Sequence, residues 1–501
     1  MPATDPGLAS ELFPTLAGAA LEEAERLGAE HADLRLERIA SQYLSLRDAV
    51  LETTADDHEV GVGLRVVHQG AIGFAATVEL VPEAVRDLAR RAVESARVTA
   101  AALNRPVELA PEPSYGEVSW QGELGRDPTA VPLAERVEKL AAWSSALLAA
   151  EGVDHVQASL HAVSEEKHYA GSNGTVTHQR RVRVQPVVEA IAVEDDGGFE
   201  TMRTCAPPAG RGYEYLEGEG WDFESELAAM PELLAEKLAA PSVEAGEYDL
   251  VIDPTNLWLT IHESIGHATE LDRALGYEAA YAGTSFATPD GLGTLQYGSP
   301  VMHVTGDRTT PFGLATVGFD DEGVAAQSFD IVRGGVLAGY QLDRRIAAEA
   351  GIARSNGCAF ADSPMHVPIQ RMANVTLQPA DGQGPSLEEL VSGVERGIYV
   401  VGDKSWSIDM QRYNFQFTGQ RFFRIEHGRL AGQLRDVAYQ SQTTAFWGSM
   451  EAVGGRATFL LGGAFNCGKG QPGQVAPVSH GCPVALFRRV RVLNARAESG
   501  R

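Results

Sequence analysis

Apolar residues at four-residue spacing, Leu8, Leu12, Leu16 and Ala20, predict an amphipathic helix running to about Ala29. The period then falls to two. Runs over Leu34–Ile39, Tyr43–Thr53, Val60–Val67 and Ala71–Val78 read as strands, with a turn at Gly70. A second helix is expected from about Pro82 to Leu103, because a proline at a helix start removes a donor that has no partner there. Residues 104–131 lose all periodicity. Pro106, Pro111, Pro113 and Pro128 are interspersed with Gly116, Gly122 and Gly125, as in a linker.

A similar order then returns. A helix over about Pro132–Ala150 precedes strands at Val156–Val163, Glu166–Ala170, Val176–Val184, Val187–Val193 and Phe199–Cys205. Ser172-Asn173-Gly174 has the composition of a hairpin turn. A helix over Asp222–Ala240 stops at Pro241. The two halves of residues 1–240 are thus expected to share an architecture, with no residue-level repeat. Beyond Pro241 a short strand, Tyr248–Ile252, leads into a helix for which Asp253 is a good N-cap and Pro254 a good first residue. The rest is β-rich and glycine-rich. It contains a meander over Tyr413–Leu434 turning at His427-Gly428, a helix over Thr443–Val453, and a final part, Phe459–Val492, with two of the four cysteines. The expected fold class is α+β: N-terminal helix–antiparallel sheet–helix segments followed by a β-rich C-terminal domain. The expected divisions are an N-terminal domain (1–103), a linker (104–131), a central domain (132–240) and a C-terminal domain (241–501).

Composition narrows the function classes. No apolar run in the 501 residues approaches the ~18 that a membrane span needs. Met1-Pro2-Ala3-Thr4-Asp5-Pro6 has no basic start followed by an apolar core, so no secretory signal is read and a cytoplasmic location is expected. A net charge of −27 repels phosphate backbones, so neither nucleic acid nor membrane is an expected partner. The basic run Gln179–Val184 alternates like one polar face of a strand. Cys205, Cys358, Cys467 and Cys482 are too sparse for a disulfide scaffold and are read as thiols.

The densest chemistry is His262-Glu263-Ser264-Ile265-Gly266-His267, at the start of the C-terminal domain. Two imidazoles are ready metal ligands, and a Glu beside a metal-activated water is a ready general base. The histidines stand one residue further apart than in the zincin signature. On a straight helix, residues five apart point roughly 140° from one another. A π-type turn, with hydrogen bonds from i to i+5, would bring both onto one face, and Gly266 could ease that distortion. The competing structural reading is a surface pair of Glu263 and His267, four apart. A further alternative is a carboxylate-rich iron or manganese site from Glu263, His267 and Glu270, which share a face of an undistorted helix. Gly463 with Gly468-Lys469 approaches a phosphate-binding loop, but Gly470 stands where Ser or Thr is required. Cys467 alone reads as a buried thiol. His480-Gly481-Cys482-Pro483, Cys358, Cys205 and His366 are read as structural or loop residues.

Taken together, His262-Glu263-x-x-x-His267, Ser355-Asn356-Gly357, Arg371-Met372-x-Asn374 and Asn466-Cys467-Gly468-Lys469-Gly470-Gln471 resemble the TldD branch of the TldD/PmbA family. The resemblance covers nearly the whole chain, and its strongest motifs lie in residues 241–480. It implies a zinc metallopeptidase acting on unfolded proteins and peptides, with Zn2+ held by His262, His267 and Cys467 and with Glu263 as general base. Three protein ligands and one open position suit a catalytic rather than a structural zinc. It also implies a dimer, with a motif-less PmbA/TldE-type relative or with a second copy, around a cavity where peptides bind as an added strand. The stretch Gly402–Met410 is more polar and aromatic than the Gly-rich version of that branch, which bears on substrate preference rather than on chemistry. Relatives have also been called modulators of DNA gyrase; the charge of this chain argues against direct DNA contact. The alternative to a peptidase is a non-catalytic peptide-binding or assembly subunit of such a complex.

Overall fold

The computed structural model describes residues 6–194, 198–470 and 472–498, with side chains described from residue 11 to 497. The side chain of Leu8 and the motif residue Gln471 lie outside the described residues. Helix α1 (Pro6–Arg26), strands β1 (His31–Arg47), β2 (Val50–His68) and β3 (Ala71–Thr77), and helix α2 (Pro82–Ala100) come first. After β4 (Glu117–Gln121), the order repeats as α3 (Leu133–Leu148), β5 (His155–Gly171), β6 (Val176–Val193), β7 (Phe199–Arg203) and α4 (Phe223–Ala239). Each half keeps the predicted order of helix, strands and helix, with three strands in each.

Three expectations are corrected. Leu34–Ile39 and Tyr43–Thr53 are not separate strands, because the first hairpin turns later, at Asp48 and Ala49, both at positive φ. Neither residue carries the Asn-Gly or Asp-Gly signature of such a turn. In the second half the four expected pieces between Val156 and Val193 are the two long strands β5 and β6, turning where Ser172-Asn173-Gly174 predicts. The stretch 104–131 is not wholly irregular, since β4 pairs in parallel with β6.

The two halves build one sheet. β1 pairs antiparallel with β5, giving the order β3-β2-β1-β5-β6-β4, with β7 also on β6. Because strand side chains alternate, each long strand presents two different faces. One face is apolar. Leu34, Leu36, Leu64 and Ala170 pack with α1 and α2, while Ala158, Leu160, Ala162 and Val188 pack with α3 and α4. The other face is charged yet buried. Asp33, Arg35, Glu37, Arg65, Glu165, Lys167 and Arg181 are all less than a tenth exposed. They meet the C-terminal region: Lys167 Nζ donates to Asp321 Oδ2 (2.7 Å) and Ala361 O (2.8 Å), and Arg181 Nη1 donates to Leu314 O (3.1 Å). The run Gln179–Val184 is indeed a strand, but its polar face meets protein rather than solvent.

β8 (Gly246–Ile252) belongs to a second sheet, with Arg396–Ile408, Ala485–Asn494, Val437–Gln442 and Asn414–Glu426. The first and last of those four also pair with each other, so the five strands close on themselves and leave few free edges. Asn414–Glu426 and Arg429–Leu434 form the expected meander around His427-Gly428. The helix expected over Thr443–Val453 stops at Gly448. Met450–Val453 is instead a strand on Ala485–Phe487, where the sheet's offered pairing outweighs a weak helix end at glycine. Among the described residues, no helix is long and apolar enough to cross a membrane.

Candidate metal centre

Helix α5 (Pro254–Ile261) starts as its sequence dictates, with the Asp253 side chain accepting from Thr255 N at 2.9 Å and Pro254 in the first turn. It then widens into a π-turn over His262–Gly266, closed by the His267 N–H bonding to His262 O. This is the distortion the five-residue spacing calls for. A π-turn displaces backbone carbonyls from the helical ladder, and such groups need partners when buried. The fold supplies them. Tyr297 OH donates to Ser264 O, and Gln341 Nε2 donates to Gly266 O at 2.8 Å. Gln341 is itself placed by its neighbours: the Asn356 side chain bonds Tyr340 O and Leu342 N, which assigns the Ser355-Asn356-Gly357 motif a supporting task. Gly266 has ordinary helical φ of −51°. Its value is space, since a Cβ there would stand 2.8 Å from Met372 Sδ and 3.4 Å from His480 Cε1.

The turn brings the imidazoles of His262 and His267 to 4.7 Å between ring centroids. Cys467, two hundred residues on, lies in the strand Leu460–Lys469, which pairs with Gln474–Cys482. Its Sγ is 3.5 Å from His267 Nε2. One donor atom from each of His262, His267 and Cys467 lies within 4.8 Å of the other two, and all three residues are buried. Arg371, of the Arg371-Met372-x-Asn374 motif, anchors this hairpin by donating to Cys467 O (2.5 Å) and Gln474 O (3.2 Å).

A second layer fixes both imidazoles. His262 Nδ1 is 2.7 Å from His480 Nε2, and His480 Nδ1 is 3.3 Å from Val375 O. A carbonyl can only accept, so His480 donates to it through Nδ1–H, accepts from His262 through Nε2, and leaves His262 Nε2 as the donor atom for a metal. His267 Nδ1 lies 2.8 Å from Glu270 Oε2, which likewise leaves its Nε2 for the site. Burial holds both histidines well below their usual pKa, so both are neutral and able to ligate. Burial also pushes the Cys467 thiol up to about 11, with Arg371 opposing. A divalent cation is the group that would ionise it. The donor set therefore fits a transition-metal ion.

Glu263 does not join that cluster. Its Oε2 pairs with Arg412 Nη1, and burial raises its pKa while Arg412 opposes the rise. The carboxylate-rich alternative is not assembled, because Glu270 stands behind His267 rather than beside Glu263. Its other oxygen accepts from Lys469 Nζ at 2.9 Å, and Lys469 also reaches Asp272 and Gln370. That same Lys469 settles the phosphate-loop resemblance, for its ammonium is consumed inside the protein. Cys482 is buried and its Sγ lies 3.8 Å from Pro254 O. Cys358 is buried, and Cys205 contacts Arg421 Nη2 at 2.9 Å. His366 is half-exposed and bonds Asp362 at 2.6 Å. The sequence reading missed two residues here. His480 is read above as structural, and only its meeting with His262 shows otherwise. Arg412 carries no sequence signal.

Three family models match the chain: PmbA/TldA metallopeptidase domain 1 over residues 32–96, the central domain over 126–240, and the C-terminal domain over 245–494. A metalloprotease of Methanothermobacter thermautotrophicus is 28% identical over 464 residues, covering 92% of this chain and 95% of its own. A protein of Saccharolobus solfataricus named a zinc metalloprotease TldD homolog is 23% identical over 478 residues, covering 94% and 98%. The solved structure of TldE from Thermococcus kodakarensis shares the fold with a TM-score of 0.70 at 16% identity, covering 96% of this chain and 99% of its own.

Proposed function

This chain belongs to the PmbA/TldD metallopeptidase family, and on that premise we propose that it is a zinc-dependent peptidase cleaving peptide bonds in unfolded proteins or peptides. The observation that carries the proposal is the convergence of two oriented imidazoles and one thiol at a π-turn, with a buried glutamate next in sequence to the first histidine. In this reading His262, His267 and Cys467 hold the metal. Cys and His donors favour zinc, as does the name of the Saccharolobus relative.

Zinc held there supplies Lewis acidity toward the scissile carbonyl and a water molecule. Glu263 takes the water's proton and passes it to the leaving amine. Burial makes its carboxylate a stronger base than one in water, and the Arg412 guanidinium opposes that rise. His480 and Glu270 hold the ligand imidazoles in the tautomer that presents Nε2. The peptide binds by strand addition. β8 pairs with Arg396–Ile408 only through Gly397–Val400, so over residues 404–408 one edge has no strand partner among the described residues. Trp406, 54% exposed, sits on that stretch and contributes to the surroundings of Glu263. The same proposal places the chain in the cytoplasm, in a dimer with a motif-less TldE-type relative or with a second copy, enclosing the peptide in a shared cavity.

Purified protein is expected to carry about one zinc at this centre per active subunit. Glu263→Ala should keep the metal and lose cleavage by at least about 100-fold; full activity would refute the mechanism. His262→Ala or Cys467→Ala should lose the metal, and unchanged zinc content in either would remove that residue from the ligand set. Co-purification decides between the two dimers.

A further inference from the structure

Among the described residues, one other group of three metal-ligating side chains converges, far in sequence from His262, and the proposed peptidase does not use it. Glu166 and His168 stand two apart on β5, so they share a face of the sheet. His178 on β6 is directly opposite His168. The two rings stack, 4.3 Å between centroids at 6°. His178 Nε2 is 3.0 Å from Glu166 Oε1, and His168 Nε2 is 3.4 Å from the same oxygen. The three donor atoms lie within 4.8 Å of one another. Donors about 2.1 Å from one tetrahedral ion stand roughly 3.4 Å apart, so this cluster needs little movement to close on one.

Two further observations point to a ligand. His168 is 4% exposed, and its Nε2 has only a long contact of 3.4 Å to Glu166 Oε1 that does not meet hydrogen-bond geometry. A buried ring nitrogen without a bond is costly, and metal coordination is one way to satisfy it. Phe13 of α1, 5.1 Å from the His168 ring, helps hold it in place. Glu166 and His178 also line a cavity of about 660 Å³, with Arg38, Gln42, Asp127 and Arg180. The cavity occupies the part of the sheet between the area covered by α1 and α2 and that covered by α3 and α4.

We propose that Glu166, His168 and His178 bind one divalent transition-metal ion of the zinc, cobalt or nickel class, separate from the His262–Cys467 site and with its remaining positions open to the cavity. Two imidazoles and a carboxylate suit such ions. The test is a Co2+ titration of the chelator-stripped full chain, read by metal analysis after dialysis and by electronic absorption. Two ions per chain are expected. Only the one at Cys467 should show a thiolate-to-cobalt charge-transfer band. His178→Gln changes a side chain that is 42% exposed, so it should leave thermal melting unchanged. It should remove the ion without that band and keep the other, and Glu166→Gln should weaken the same ion at least tenfold. Cys467→Ser should do the converse. A single ion per chain that carries the thiolate band in the unaltered protein, or ion binding undiminished in both His178→Gln and Glu166→Gln, would overturn the site. Absence of the thiolate band with retention of the His178-dependent ion would count against the other centre alone.

Discussion

Arg412 sits at φ 64°, in the left-handed region that non-glycine residues seldom enter, and its guanidinium pairs with Glu263. Backbone strain of this kind persists where surrounding structure over-determines it, and it clusters at functional sites. Here Asp409 supplies that support, accepting from the backbone N–H groups of Gln411, Tyr413 and Asn414. Burial alone would raise the Glu263 pKa further, and Arg412 restrains it. A general base works only when ionised, so the acid limb of kcat/KM should lie above the ordinary carboxylate range. In Arg412→Met the restraint is gone, the pKa rises, and the limb should move to still higher pH. A pH–rate profile with the limb unmoved would separate Arg412 from the base. His262, Glu263 and His267 stand out in the sequence because they are close along the chain. Arg412 and His480 do not, because their roles exist only through contacts 149 and 218 residues away in sequence.

At the scale of the element, the informative unit is the helix α5 with its π-turn. Its start was readable from Asp253-Pro254, and its distortion from the spacing of two histidines on a buried apolar helix. The reason for Gly266 was not. Its backbone is ordinary, and it is small because Met372 and His480 press against it. Gly266→Ala should therefore cost about 1–3 kcal/mol through overpacking, measured by urea unfolding. The neighbour that must shift is Met372, 2.8 Å from the added Cβ, whereas the His480 ring that orients His262 stays in ordinary contact at 3.4 Å, so metal binding should change little. A variant with clearly weakened metal affinity would show that the shift of Met372 is passed on to His480.

For the whole molecule, the telling surface is the charged face of the N-terminal sheet. Glu165 accepts from Arg181 Nε at 2.9 Å and from Arg183 Nη1 at 3.0 Å, with Lys167 Nζ at 3.8 Å; all but the partly exposed Arg183 are buried. Removing one member of a buried ion network leaves its partners uncompensated. Glu165→Ala should thus destabilise the protein by about 3–5 kcal/mol in denaturant titration. The loss should fall first on the junction, seen as an early separate transition. A loss comparable to that of an exposed ion pair would mean water reaches this layer. The alternation along β1, β5 and β6 was plain in the sequence, but a polar face looks the same there whether it meets water or a second domain.

Local patterns determined much of this protein without help: the repeated helix–strands–helix order, the turn at Ser172-Asn173-Gly174, the helix start at Asp253 and the condition that His262 and His267 can share one metal only through a π-turn. Each depends on residues close along the chain, where period, capping and turn chemistry act. Only the tertiary structure decided that the two halves share one sheet, that its charged face is an interior, that Cys467 meets His267, and that His480 and Glu270 orient the imidazoles. Those facts depend on strand pairing and burial between distant segments, for which nearest-neighbour patterns carry no information.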